Sequence, residues 1–304
     1  MGAERLSIHS FSHPSSTGSR PKAIITGARV GLGLETAKLL LAQGFDVVIT
    51  GRNERATRDA ADDLRSTLDD EQRRTQTVTG LSLELGDLDS VRNFVGEHLE
   101  TLTNWTHLVN NAGAKIENPY KSTAQGFEWH FGVNHLAHHL LTSLLLPIGA
   151  ETKRVVTVGS IVARRGDPQH WGLTDTGISA GTYYSASKLA NVAMMLQLQN
   201  RFSGVTATSA HPGFAKAEPY GTAITRLGEH LLAQSAGAGA LSIFAAALAE
   251  PGAYLGPRAF ELWGRPSNAV VPRTLSKESL DKLWELSNKL TGATWPARSS
   301  ELEP

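Results

Sequence analysis

Between Lys22 and Ala210, short runs of β-branched and aliphatic residues recur with longer helical segments between them. These runs are Ala23–Thr26, Asp46–Thr50, Thr77–Leu83, His107–Asn110, Arg154–Val158 and Val205–Ala210. Strands separated by crossovers of this length do not form hairpins; they pair in parallel and are covered by helices on both faces. With right-handed crossovers the outcome is an α/β fold, a doubly wound parallel sheet in a single domain. Helices are expected over Glu35–Gln43, ended by Gly44, and over the charged stretch Glu54–Leu68. Further helices are expected over Asp87–Leu102, opened by acidic residues, over Phe127–Leu146, stopping before Pro147, and over Tyr184–Phe202. Residues 1–21, rich in Ser, His, Gly and Pro, read as a flexible tail. No repeat or linker divides 22–304, so that span is one domain, with a substrate-binding region from about residue 214.

Composition narrows the partners. The 304 residues carry 29 Lys plus Arg against 29 Asp plus Glu, so no overall field draws the chain to nucleic acid or an anionic membrane. A small molecule is the expected partner. The absence of cysteine removes disulfides, thiolate nucleophiles, iron–sulfur clusters and thiolate zinc sites. The apolar clusters Leu140–Leu146 and Leu241–Leu248 are much shorter than the ~20 residues of a membrane span, and no secretory segment is visible. A cytoplasmic location is expected, so the sequon Asn104-Trp105-Thr106 carries no weight.

The first strand runs into Thr26-Gly27-Ala28-Arg29-Val30-Gly31-Leu32-Gly33 and then a helix. Glycines there let the backbone turn tightly and approach a pyrophosphate, which free N–H groups and the dipole of the helix N-terminus attract. The spacing is not G-x-G-x-x-G, but the strand–turn–helix setting points to a dinucleotide. After the second strand comes Gly51-Arg52-Asn53, without the acidic residue that holds a ribose 2′-hydroxyl in NAD-selective sites. Arg52, with Arg29, is suited to a 2′-phosphate instead; the plain alternative is two solvated arginines. NADP(H) is favoured, with NAD(H) open.

Tyr184-Ser185-Ala186-Ser187-Lys188 puts Tyr184 and Lys188 at i and i+4, on one helix face. A free phenol has a pKa of about 10, so acid/base work near neutrality needs a nearby cation that favours the phenolate. Taken together, Thr26–Gly33, Asn110-Asn111-Ala112-Gly113, Ser160, Tyr184 with Lys188 and His211-Pro212-Gly213 resemble the short-chain dehydrogenase/reductase family in order and spacing. Phe131–Thr142, Tyr184–Asn191 and Leu283–Ser287 resemble its retinol-dehydrogenase-like branch.

The resemblance implies a Rossmann-type fold, a nicotinamide cofactor and interconversion of a carbonyl with its alcohol. Tyr184 is then the proton donor or acceptor, and Ser160 hydrogen-bonds the reacting oxygen. Lys188 holds the nicotinamide ribose and lowers the Tyr184 pKa, while Asn134 positions a water in the proton path. Cofactor contacts fall on Gly27, Arg29, Gly31, Leu32, Gly33, Arg52, Glu84, Leu85, Asn111, Ala112, Gly113, Tyr184, Lys188, Pro212 and Gly213. A homodimer or homotetramer through the helix beginning at Tyr184 is a further family expectation. Three positions depart from the pattern: Glu84 stands for the usual Asp, Gly159 for a frequent Ser, and Ala217 for a Thr after Pro212-Gly213.

His135, His138 and His139 include an H-x-x-x-H pair, yet no H-E-x-x-H arrangement accompanies them, so packing or surface exposure is favoured over metal binding. Ser160 is not within G-x-S-x-G, which argues against a hydrolase. Tyr183 lies on a different helix face from Lys188 and reads as a residue that packs or lines the pocket. Ala223–Leu248 is either a lid with a subunit contact or an ordinary packed helix, while Phe214, Tyr220, Trp171 and Trp263 hint at an apolar substrate. The expectation is therefore an NADP(H)-dependent oxidoreductase interconverting a ketone or aldehyde with its alcohol on an apolar or polycyclic molecule. Its rivals are a non-catalytic nicotinamide-binding sensor and an epimerase or dehydratase on the same fold.

Overall fold

The computed structural model describes residues 20–116, 121–174, 177–215 and 233–297. Its first half runs β1 (Lys22–Ile25), α1 (Gly31–Ala42), β2 (Asp46–Gly51), α2 (Glu54–Ser66), α3 (Asp70–Thr75), β3 (Val78–Ser82), α4 (Leu88–Glu97), α5 (Leu99–Leu102) and β4 (His107–Asn110). It continues through α6 (Trp129–Phe131), a π-helical segment (Gly132–Leu136), α7 (Ala137–Leu145), β5 (Lys153–Val158), α8 (Ala180–Arg201) and β6 (Val205–Ala210). Then follow α9 (Ala236–Leu248), β7 (Tyr254–Ala259), β8 (Trp263–Asn268) and α10 (Lys277–Thr291).

The sheet order is β3-β2-β1-β4-β5-β6-β7-β8, parallel throughout except for the β7–β8 pair. Alternate strand residues serve the two faces. Ile24, Val48, Leu108, Val155 and Ala207 pack against α4, α7 and α8, whereas Ala23, Ile25, Val47, Val109 and Val156 pack against α1, α2 and α9. Because the strand order reverses between β1 and β4, the crevice beyond their carboxyl ends is where such a sheet binds ligands.

Several elements differ from the sequence reading. The first helix starts at Gly31 rather than Glu35, so glycines form its opening turn. The charged helix stops at Ser66, and Asp69 starts α3 with a capping box shared with Gln72. Asp87–Leu102 is two helices with a break at His98. The stretch expected as one helix from Phe127 begins at Trp129, passes through the π-helical segment, and carries Pro147 inside a short 3-10 turn, Leu146–Ile148. The helix expected from Tyr184 begins four residues earlier at Ala180, capped by the Ser179 side chain. β7, β8 and α10 were not anticipated as elements. The tail at 1–19, Ala217, Tyr220 and the first part of Ala223–Leu248 lie outside the described residues.

Candidate active site

The crevice is built around Thr26. Its hydroxyl accepts the Asn111 and Ala112 N–H groups at 3.0 and 2.9 Å, and the Asn111 carboxamide donates to the Thr26 carbonyl at 2.7 Å. The segment after β4 is thereby locked onto the glycine turn after β1. Gly27 and Gly31 have φ of +63° and +64°, a region where a side chain is strained. Gly33 is needed for space: a Cβ there would lie 2.5 Å from Asn111 Nδ2 and 2.8 Å from the Ala28 Cα. Leu32 and Pro212 both abut Gly239 of α9, which brings the turn after β6 to the same crevice. Gly213 follows with φ +67°, its N–H donating to His211 Nδ1 at 3.3 Å.

These residues fit a dinucleotide. A glycine cradle lies at the head of α1, whose N-cap Val30 offers no side-chain acceptor and whose first turn carries no acid. The opening N–H groups and the positive dipole end therefore face the crevice without a competing carboxylate. At the end of β2, a Cβ on Gly51 would come within 3.4 Å of Arg29 Cβ, so Arg29 lies beside the strand end that Arg52 follows. Arg52 is exposed there, while Asn53 is occupied in capping α2. Leu85 is buried. The Glu84 carboxylate turns back to accept the Gly86 N–H at 2.7 Å.

Lys188 and Tyr184 share one face of α8. Lys188 is buried and donates to the carbonyl of Val158, the last residue of β5, at 3.0 Å. Desolvation lowers its pKa to about 8, so the ammonium remains the main form at neutral pH. Its Nζ is 5.9 Å from the centroid of the half-buried Tyr184 ring. A Cβ on Gly113 would meet Lys188 Nζ at 2.9 Å, so that glycine keeps open the approach to the ammonium. Tyr183 is 1% exposed and belongs to the core.

Ser160 follows β5, its Oγ at 3.5 Å from the Val162 N–H and its carbonyl accepting from Tyr254 Oη at 3.4 Å. The turn it starts returns to α8, where a Cβ on Gly166 would lie 2.7 Å from the Ser185 carbonyl. Asn134 sits within the π-helical segment. Its Oδ1 accepts the Ala114 N–H at 2.8 Å, and its Nδ2 donates to the Ala114 carbonyl at 3.1 Å and to Ser187 Oγ at 3.0 Å.

His138 joins this segment to the glycine turn, a link without a sequence signal. Burial lowers its pKa to about 4, so the ring is neutral, with one nitrogen donating and the other accepting. Its Nδ1 is 2.9 Å from the Asn134 carbonyl, which can only accept. Nε2 therefore receives the Thr26 hydroxyl at 2.9 Å, and the Thr26 lone pairs are left for Asn111 and Ala112. The neighbouring histidines serve elsewhere: His135 meets Ser287 at 2.8 Å, and His139 meets Asn288 at 2.8 Å within a cluster of Trp284 and Trp295. Trp171, expected near the substrate, is buried instead, with its indole N–H on the Ala186 carbonyl at 2.9 Å. Two further polar groupings had no sequence signal. One is Glu128 with His130; the other is Arg164, Glu261 and His211, set behind Gly213.

A family model described as short chain dehydrogenase matches residues 21–224. The chain belongs to the short-chain dehydrogenase/reductase family. It is similar to human retinol dehydrogenase 12, at 35% identity over 282 residues, covering 90% of this chain and 86% of that protein. It is similar also to human retinol dehydrogenase 11, at 38% identity over 200 residues, covering 64% of this chain and 61% of that one. A crystal structure of an uncharacterised protein from Mycobacterium paratuberculosis superposes with TM-score 0.73 at 31% identity, covering 91% of this chain and 96% of the other. The retinol-dehydrogenase-like resemblance and the Rossmann-type fold both hold. This dehydrogenase is an NAD(P)-dependent oxidoreductase acting on CH–OH groups. Among its described residues, no helix is long and apolar enough to cross a membrane.

Proposed function

We propose that this dehydrogenase interconverts an apolar ketone or aldehyde with its alcohol, prefers NADP(H), and uses Tyr184 to exchange the proton. The observation that carries the reading is the Lys188 ammonium, buried, fixed on the Val158 carbonyl at 3.0 Å and 5.9 Å from the Tyr184 ring. A desolvated cation beside a phenol favours the phenolate, the form needed to take a proton.

The nicotinamide cofactor, when bound, supplies or accepts the hydride. Gly27, Gly31, Leu32 and Gly33 would hold its pyrophosphate side, with Arg29 and Arg52 on a 2′-phosphate. Glu84, Leu85, Asn111, Ala112, Gly113, Pro212 and Gly213 would line the rest, and Lys188 would hold the ribose. In reduction the Tyr184 hydroxyl gives its proton to the carbonyl oxygen; in oxidation the phenolate takes the alcohol proton. Ser160 steadies that oxygen by a hydrogen bond while charge develops on it. Asn134 holds the Ala114 backbone from both sides and keeps the proton path in register. The chain from about 214 supplies the substrate side, where half-buried Phe214 bonds Leu262 beside Trp263.

The test is fluorescence titration of the purified chain with NADPH and NADH, followed by apolar ketones and aldehydes while nicotinamide absorbance is watched. Retinaldehyde belongs in the panel because the relatives are named for retinol. Tighter binding of NADPH with substrate-dependent oxidation is the expected result. Binding without oxidation across the panel would favour a sensor, and failure to bind either nucleotide would overturn the reading.

A further inference from the structure

Lys115 lies on the loop after β4, and the residues on either side of it are clamped. The Asn134 carboxamide holds both the N–H and the carbonyl of Ala114, at 2.8 and 3.1 Å. The Ile116 N–H donates to His130 Nε2 at 3.1 Å. The His130 ring is itself fully buried and fixed from behind by Glu128, whose Oε1 is 2.7 Å from Nδ1. With both neighbours held, the Lys115 side chain is delivered over the Tyr184 ring, its Nζ 5.7 Å from the centroid.

Tyr184 therefore has an ammonium from each of two elements, Lys188 from α8 at 5.9 Å and Lys115 from the loop at 5.7 Å. Among the described residues, a third titratable group against the ring is His130, edge-on at 5.8 Å between centroids. The Glu128 carboxylate behind it is turned away, accepting from the His130 ring and from the backbone N–H groups of His130 and Phe131. Among the described residues, the charged groups set over the phenol ring are thus two cations. We propose that Lys115 is a second cationic partner of Tyr184, favouring its phenolate alongside Lys188 and setting the pH at which the proton-transfer group ionises.

The inference rests on the acid/base reading of Tyr184 above. Phenolate charge spreads over the ring, so a cation about 6 Å from its centre acts on the ionised form more than on the neutral one. The two lysines differ in their surroundings. Lys188 is buried, while Lys115 is exposed, so salt screens the second contribution much more than the first.

The test is an ultraviolet difference titration of the full chain without cofactor. Wild type minus Tyr184→Phe isolates one phenol among the five tyrosines, and Lys115→Met minus Lys115→Met/Tyr184→Phe does the same without the exposed ammonium. The Tyr184 midpoint is expected to rise by about half to one pH unit in Lys115→Met and to stay in place in Lys115→Arg. Raising salt to about 1 M should lift the wild-type midpoint and leave that of Lys115→Met unmoved. Identical midpoints in wild type and Lys115→Met would overturn the proposal. Turnover assayed in parallel separates the two ideas: full activity in Tyr184→Phe sinks the acid/base reading, whereas an inactive Tyr184→Phe with an unmoved Lys115→Met midpoint sinks only the role of Lys115.

Discussion

At the scale of single residues, a missing atom and a positioned charge do different work. Gly33 has no room for a methyl group, since a Cβ would sit 2.5 Å from the Asn111 amide nitrogen that ties two loops together. Gly33→Ala should cost about 1–3 kcal/mol of stability and most of the cofactor affinity, read by thermal unfolding and nucleotide titration; wild-type values for both would refute the cradle. Arg52 acts by charge at the exposed end of β2. Arg52→Ala should weaken NADPH about ten- to a hundredfold and leave NADH nearly unchanged in the same fluorescence titration. Equal losses for both nucleotides would refute the phosphate contact. Tyr184 and Lys188 were legible in the sequence because an i, i+4 pair on a helix is local. His138 and Thr26 were not, because their bond joins residues 112 positions apart and exists only once the sheet has formed.

At the scale of elements, the π-helical segment Gly132–Leu136 is where packing departs from sequence pattern. A single wider turn does not disturb the apolar periodicity of its flanks, so the sequence read as one uninterrupted helix. β4 and β6 have the limits expected of them because short apolar runs between breakers are unambiguous. β7 and β8 were missed because Gly256, Pro257, Gly264 and Pro266 interrupt them, and pairing at a sheet edge, not propensity, makes them strands. The link between this region and the glycine turn is testable through His138 of α7, which bridges the Asn134 carbonyl of the π segment and the Thr26 hydroxyl. His138→Leu leaves the buried Thr26 hydroxyl with only the long 3.4 Å contact to the Val109 carbonyl and should cost about 1–3 kcal/mol in urea unfolding. Combining it with Thr26→Val should cost clearly less than the sum of the two single changes; strict additivity would show that the bond does not couple α7 to the glycine turn.

At the scale of the whole molecule, neutral histidines are built into the core. Burial lowers His138 and His139 to about 4 and His107 to about 3, and takes His135 well below its ordinary value of 6.5. Their contribution to stability is complete above pH 6.5. As pH falls below that, the unfolded chain binds protons that the folded chain refuses, and each histidine removes about 1.4 kcal/mol per pH unit until its folded pKa is reached. The melting temperature should therefore drop steeply between pH 6.5 and 5, above the range where most carboxylates titrate; a flat profile there would contradict the burial argument. The same sheet and helices that bury these rings bring β1, β4, β5 and α8 to one crevice, and the central claim is that Tyr184 passes the proton there. The direct measurement is turnover and NADPH affinity of Tyr184→Phe beside wild type, on whichever carbonyl the panel identifies. A fall in turnover of about a hundredfold or more with an NADPH dissociation constant within about twofold is predicted. Unchanged turnover would contradict the account.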